Sequence, residues 1–335
     1  MTLARRLILV RRPGVSLDRA DTQVIEADVP VVSEGTFLVS VSHVTLEVSM
    51  IGWMREGRSY LPNISLGDTV RATGVGRVTA SRHPEYSEGD LVTGLFGVQT
   101  HALSDGAGVV KLNDAAASAE AWAGSLGLTT AFTSHVGLAM APTDLTGKTA
   151  LVSGVSGLVG GFAAQIARQR GARVIGIAGG PQNCELAVSK LGLDQCLDYL
   201  DDSFEQSLHA ACPGRLDVFF DVAGGSIFDI ALGWMNAFGT VIMCGQTAER
   251  GASQPVPVTN IRSVIMERLT LRGFVVLDHP DLYPKAASDI AEGISEGTLQ
   301  QVYPDVSYDG GLAAFHDAYE ALVQENRRGK HVLRL

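Results

Sequence analysis

With 335 residues and 46% apolar side chains, the chain is long enough to bury two cores of ordinary domain size. Its formal charge of −10 argues against nucleic acid or an anionic membrane as a partner, since both need a basic face. No segment reaches the roughly 18 uninterrupted apolar residues of a membrane-spanning helix. The opening MTLARRLILVRRPG holds only the short apolar patch LILV, too short for a signal peptide, so a cytoplasmic location is expected.

In chain order, the first part reads as strands broken by glycine turns. FLVSVSHVTLEVSMI (37–51) mixes β-branched and apolar residues, as strands do. RATGVGRVTAS (71–81) and GDLVTGLFGVQTHAL (89–103) predict strands bent at glycines, as a rolled barrel requires. Met50, Trp53 and Met54 form an apolar cluster that reads as core, or else as the wall of an apolar pocket. Arg71, Arg77 and Arg82 read as a solvated strand face.

The pattern then changes. AEAWAGSLGLTTAFTSHVGLAM (119–140) has helical spacing, with His135 on its apolar side in a structural position. Strands at 149–154, 173–178, 195–199, 216–222, 240–245 and 269–277 follow, with helices at 158–170, 181–191, 202–212 and 226–236 between them. Such alternation builds a doubly wound parallel sheet with helices on both faces. The tail predicts a helix at 283–296, a strand QVYPDV (301–306), a helix at 311–324 and a last strand KHVLRL (330–335). The expected division is a β-rich domain of residues 1–122 and 297–335 around an α/β domain of residues 123–296.

The stretch TALVSGVSGLVGG (149–161) carries the chemistry. Its glycines at 154, 157 and 160 fall between a strand and a helix, the context in which a glycine turn holds a pyrophosphate. Glycines let the backbone approach the phosphates, and the helix N-terminus supplies amides and a favourable dipole. Ser156 either bonds a phosphate oxygen or serves the turn. An NAD site places an acid about 20 residues on, at the end of the second strand, for the ribose hydroxyls. Ile177-Ala178-Gly179-Gly180-Pro181 stands there without one, which favours NADP(H). Cys184, Cys196, Cys212 and Cys244 are scattered without a CxxC, so they read as reduced, buried thiols and not as metal ligands.

Over nearly its whole length the chain resembles the zinc-independent medium-chain reductases of the leukotriene B4 dehydrogenase, prostaglandin reductase and curcumin reductase group. The resemblance is carried by LGDTVRATGVGRVTASRHPEYSEGDLVTGLFG (66–97), TAF (130–132), VSGVSGLVGGFAAQIARQRGARVIGIAGGP (152–181), LGLDQCLDY (191–199), DVFFDVAGG (217–225), FGTVIMCG (238–245), LRGFVVLDH (271–279) and RGKHVLRL (328–335). It implies a GroES-like β-rich domain beside a Rossmann-type domain. It also implies NADPH-dependent reduction of the C=C bond of a hydrophobic α,β-unsaturated ketone or aldehyde, and a homodimer paired through the edge FVVL (274–277). Where zinc-dependent relatives carry Gly-His-Glu, this chain has Gly67-Asp68-Thr69, so no metal site is expected.

Carried over by position, the pyrophosphate loop falls on Gly157, Leu158, Val159 and Gly160, with Gly180 at the second turn. Thr130, Cys244 and Gly245 fall beside the nicotinamide, the strand Phe274, Val275, Val276 lines the cofactor, and Tyr199 falls beside the 2′-phosphate. Five usual polar contacts are changed. The family's lysine for the 2′-phosphate falls on Asn183, its Phe-Asp-Asn asparagine on Val222 and its tyrosine after the Cys-Gly turn on Arg250. Its C-terminal asparagine falls on Arg327, next to Asn326, and its Asp-Pro-Tyr on Glu47-Val48-Ser49. Arg327 or Arg250 would be the groups to replace the lost lysine charge.

Reduction needs a donor for the oxygen of the enolate. Tyr60, in RSYLP, is the preferred candidate, ahead of His43, His101, His279 and Arg250. Two further readings stay open. One is a quinone oxidoreductase of the same superfamily; the other is a non-catalytic NADP(H)-binding sensor, suggested by the changed polar contacts.

Overall fold

The computed structural model describes residues 3–247, 254–324 and 328–335. It divides into two compact units. One comprises Met1–Thr129, Pro280–Glu292 and Pro304–Leu335; the other comprises Thr130–His279 and Gly293–Tyr303.

The first unit is β-rich. β1 (Leu3–Leu9) and β2 (Thr22–Asp28) form an antiparallel pair. β3 (Phe37–Leu46) is followed by the short helix α1 (Met50–Met54). Then come β4 (Gly74–Ser81), β5 (Leu91–Gly94), β6 (His101–Ser104) and β7 (Val110–Lys111), and the helix α2 (Ala119–Ala123). β4 lies so close to β3 that a Cβ on Gly76 would meet Val39 Cγ1 at 2.7 Å, so only glycine keeps this register. α1 turns Met50, Trp53 and Met54 into the core beside Leu9, Val39, Val44 and Leu46. The core reading of that cluster is the one the packing supports.

The expected continuous helix over 119–140 is broken in three: α2, a π-helical turn (Leu128–Phe132) and α3 (Thr133–Leu138). The break comes at Gly124 and Ser125. The Asp305 carboxylate occupies the place a Gly124 side chain would fill and accepts from the Ser125 amide at 3.0 Å and its hydroxyl at 3.2 Å.

The second unit then runs as alternating strand and helix. In order these are β8 (Thr149–Ser153), α4 (Leu158–Gln169), β9 (Arg173–Ala178), α5 (Pro181–Leu191) and β10 (Gln195–Asp198). α6 (Phe204–Ala211), β11 (Leu216–Asp221), α7 (Gly225–Gly233), β12 (Met235–Met243), α8 (Ser263–Met266) and β13 (Thr270–Gly273) follow. The sheet is parallel with order β10-β9-β8-β11-β12-β13, so the winding reverses between β8 and β11. A doubly wound sheet binds its ligand outside the carboxyl ends at that reversal.

Two predicted strands are corrected. The one over 269–277 stops at Gly273, because its ladder partner ends at Met243. Phe274 and Val275 lie beyond it, and Val276–Asp278 is a 3-10 turn, so FVVL is not the sheet edge; β13 is. QVYPDV (301–306) is not a strand over its length either. Gln300 and Val302 give their backbone groups to the side chains of Gln165 and Lys190, and Pro304 has no N–H to donate. The tail holds α9 (Tyr283–Ser295), β14 (Val306–Tyr308), α10 (Phe315–Val323) and β15 (His331–Arg334). β15 inserts between β14 and β3, giving a seven-stranded sheet of order β14-β15-β3-β4-β5-β7, with β6 also paired to β3.

Candidate active site

At the end of β8 the chain turns through Gly154, whose φ of +67° favours glycine, and enters α4 at Gly157. The Gly157 amide bonds Gly154 O at 2.9 Å, and the Val155 amide bonds Ile177 O at 3.1 Å. A Cβ on Gly160 would sit 2.7 Å from Ser153 O, so glycine there lets α4 press against the end of β8. No side chain among the described residues caps α4. The first-turn amides of Leu158, Val159 and Gly160 therefore face outward with the positive end of the helix dipole, which fits a pyrophosphate.

Two further loops are tied to this one by a buried carboxylate. Asp221, 1% exposed, ends β11. It accepts from Ser153 Oγ at 2.7 Å and from the amides of Ala223 and Gly224 at 3.0–3.1 Å. Ser153 Oγ in turn accepts from the amides of Val222 and Ala223 at 2.8 and 3.1 Å. Burial pushes the Asp221 pKa up, and these hydrogen bonds push it back. The Cys244 amide bonds Asp221 O at 2.8 Å, and the Thr247 amide bonds Val222 O at 3.2 Å. Gly154, Val222, Cys244 and Gly245 are thus brought together at the carboxyl ends of β8, β11 and β12. The Cys244 thiol is half-buried, and burial pushes its pKa up to about 12.

Thr130, 3% exposed, joins this group through Ser134, whose hydroxyl donates to Thr130 O at 3.1 Å and Val159 O at 2.7 Å. Gly180, Asn183 and Tyr199 form a second group beyond β9 and β10. The Gly180 amide bonds Asp198 Oδ1 at 2.7 Å, and the Tyr199 amide bonds Ala178 O at 3.1 Å. The Asn183 amide folds back onto Gly179 O at 2.5 Å. Phe274 packs its ring where a Gly137 side chain would stand on α3. Val275 and Val276 continue from it into the 3-10 turn. Arg250, Asn326 and Arg327 lie outside the described residues.

In the first unit, Tyr60 is 54% exposed and meets Trp53 edge-on, with centroids 6.0 Å apart. The Arg71 guanidinium lies over the other ring of that pair, 5.9 Å from the Trp53 centroid. Partial burial pushes the Tyr60 pKa up, the Ser49 hydroxyl lowers it, and the Glu47 carboxylate raises it. Glu47 forms a largely buried ion pair with Lys330 and accepts from Ser49 Oγ at 3.4 Å. The departure at Glu47-Val48-Ser49 therefore carries polar groups of its own. Sequence reading missed this pair, and its one signal was the lysine of the closing RGK. His43 bonds Ser42 Oγ at 2.8 Å, with its pKa lowered by burial, and His101 bonds Thr100 Oγ1 at 3.0 Å. His279 caps the 3-10 turn at Val276–Asp278.

Residues 5–112 match the family described as "N-terminal domain of oxidoreductase", and residues 159–292 match "Zinc-binding dehydrogenase". The chain is 30% identical over 337 residues to an NADPH-dependent curcumin reductase of Escherichia coli, covering 99% of this chain and 96% of that one. It belongs to the zinc-independent medium-chain reductases of the curcumin reductase group. A 2-alkenal reductase (NADP(+)-dependent) of Nicotiana tabacum is 30% identical over 280 residues, 82% of this chain and 80% of that one. The crystal structure of CurA from Vibrio vulnificus in complex with NADPH superposes with a TM-score of 0.78 at 26% identity, covering 98% of each chain. In this member of the group, no cluster of three or more His, Cys, Asp or Glu among the described residues converges as a zinc ion would require. Gly67-Asp68-Thr69 supplies no soft ligand either.

Proposed function

We propose that the chain reduces the C=C bond of hydrophobic α,β-unsaturated ketones or aldehydes, as a cytoplasmic enzyme. It is an NADP(H)-dependent oxidoreductase. The observation that carries the reading is the uncapped first turn of α4, interlocked through Ser153 and Asp221 with the loops after β11 and β12. NADPH, when bound, supplies a hydride. The amides of Leu158, Val159 and Gly160 hold the pyrophosphate. Thr130, Val222, Cys244, Gly245 and Phe274–Val276 border the nicotinamide, and Gly180, Asn183 and Tyr199 border the adenosine end. Arg327 or Arg250 is our assignment for the 2′-phosphate in place of the family's lysine.

Tyr60 is our assignment for the donor to the enolate oxygen. Like an ordinary tyrosine, its phenol is protonated at neutral pH, and a protonated hydroxyl is what a developing oxyanion needs. The exposed edge β13 is the surface by which we expect two copies to pair, since an open edge strand offers unpaired backbone groups.

The test is a titration with NADPH and NADH, followed by oxidation of the preferred cofactor with a panel of enones, enals and quinones. Tenfold preference for NADPH, about 1.4 kcal/mol, with enone-dependent turnover supports the proposal. NADPH binding without turnover of any acceptor overturns it.

A further inference from the structure

Cys184 lies in the first turn of α5, and Cys196 lies in β10, the outer strand of the parallel sheet. Both thiols are free and half-buried, and their Sγ atoms are 2.9 Å apart. That is within about 1 Å of an S–S bond length. Their neighbours belong to the adenosine-end group. Asn183 precedes Cys184, and Asp198, which holds the Gly180 amide, follows Cys196 by two residues. We propose that Cys184 and Cys196 form a reversible disulfide, a modification site on the nucleotide-binding unit that fastens α5 to β10. Its coupling to the cofactor rests on the nucleotide reading above; the bond itself does not.

The oxidant class is a hydroperoxide. The Cys184 thiolate, the nucleophilic form of the thiol, attacks the terminal peroxide oxygen. The O–O bond breaks, the alcohol leaves, and a sulfenic acid forms. Cys196 Sγ then attacks the sulfenic sulfur, the S–S bond forms and water leaves. Two thiols lose two electrons and two protons, and the hydroperoxide becomes alcohol and water. Burial raises both thiol pKa values. Thiolate is therefore scarce at neutral pH, and the rate rises about tenfold per pH unit.

The reduced full-length protein is treated with tert-butyl hydroperoxide near pH 8.5, close to the ordinary thiol pKa, and its thiols are titrated after denaturation. The count falls from four to two. A cross-linked peptide joins Cys184 to Cys196, and dithiothreitol reverses both changes. C184S and C196S each block the loss, whereas C212S does not. Oxidation shifts NADPH affinity roughly threefold or more, and NADPH shifts the oxidation equilibrium by the same factor. Four remaining thiols, or cross-links only between chains, overturn the site. A bond that forms without changing NADPH affinity overturns its coupling to the cofactor. The thiol count uses neither cofactor nor enone, so a failed reductase assay does not decide it.

Discussion

The glycine-loop end of the second unit and the Glu47–Tyr60 corner of the first are built on different principles. The former is mostly backbone: φ angles, amides and close approaches fixed by glycines at 154, 157 and 160, with one carboxylate and one serine holding the loops. The latter is mostly side chain: an ion pair between residues 283 positions apart, a hydroxyl and a phenol resting on an indole. The first kind of site tolerates little change at few positions. The second can exchange its side chains while the strands beneath them stay as they are.

The largest effect is expected at Asp221. Asp221→Ala leaves Ser153 and the amides of Ala223 and Gly224 without their acceptor, at a cost of about 3 kcal/mol. It should also weaken NADPH binding more than tenfold, read by thermal melts and titration; intact binding would detach the carboxylate from the site. At the other end, Lys330→Met strands Glu47 in a largely buried place and should cost about 2–3 kcal/mol. Adding Glu47→Gln should recover part of that loss, and strict additivity in the melts would show the pair to be uncoupled.

Gly160→Ala places a methyl against Ser153 O and should cost about 2 kcal/mol while weakening NADPH. Tyr60→Phe separates the two ends most sharply. kcat should fall about tenfold or more with NADPH affinity unchanged. An unaltered kcat would remove Tyr60 from the chemistry.

The smallest effect is a pH dependence at Asp305, whose carboxyl burial pushes up to about 6. A folded pKa above the unfolded one means the native state holds the proton more tightly. The resulting stabilisation is present below about pH 4 and is lost as pH rises through about 6, amounting to about 1 kcal/mol after allowance for solvent access. Asp305→Asn should flatten this part of the Tm–pH curve; a parallel curve would assign the dependence elsewhere.

The same contrast explains what could be read in the sequence. The βαβ alternation and the glycine loop were legible, because buried parallel strands are short apolar runs and phosphate loops need glycine at fixed places. The strand end at Gly273 was not, because it is set by where β12 stops pairing. QVYPDV looked like a strand, yet Lys190 of α5 takes the Val302 carbonyl and Gln165 of α4 takes the backbone of Gln300 just before it. Ser153 and Asp221 stood inside the predicted strands 149–154 and 216–222 with nothing to mark them, and only the fold joins their hydroxyl and carboxylate. Glu47 gave no local pattern, and Lys330 only the lysine of the closing RGK, 283 positions away.

The order of the seven-stranded sheet has a consequence for synthesis. β3 is made early, but the strand beside it, β15, is made only after the last strand of the parallel sheet. The six strands of the parallel sheet, by contrast, lie within one continuous stretch, residues 149–273. On the ribosome the nucleotide-binding sheet has all its strands while β3 still has an open flank. The unit whose chain starts first is the one that closes last.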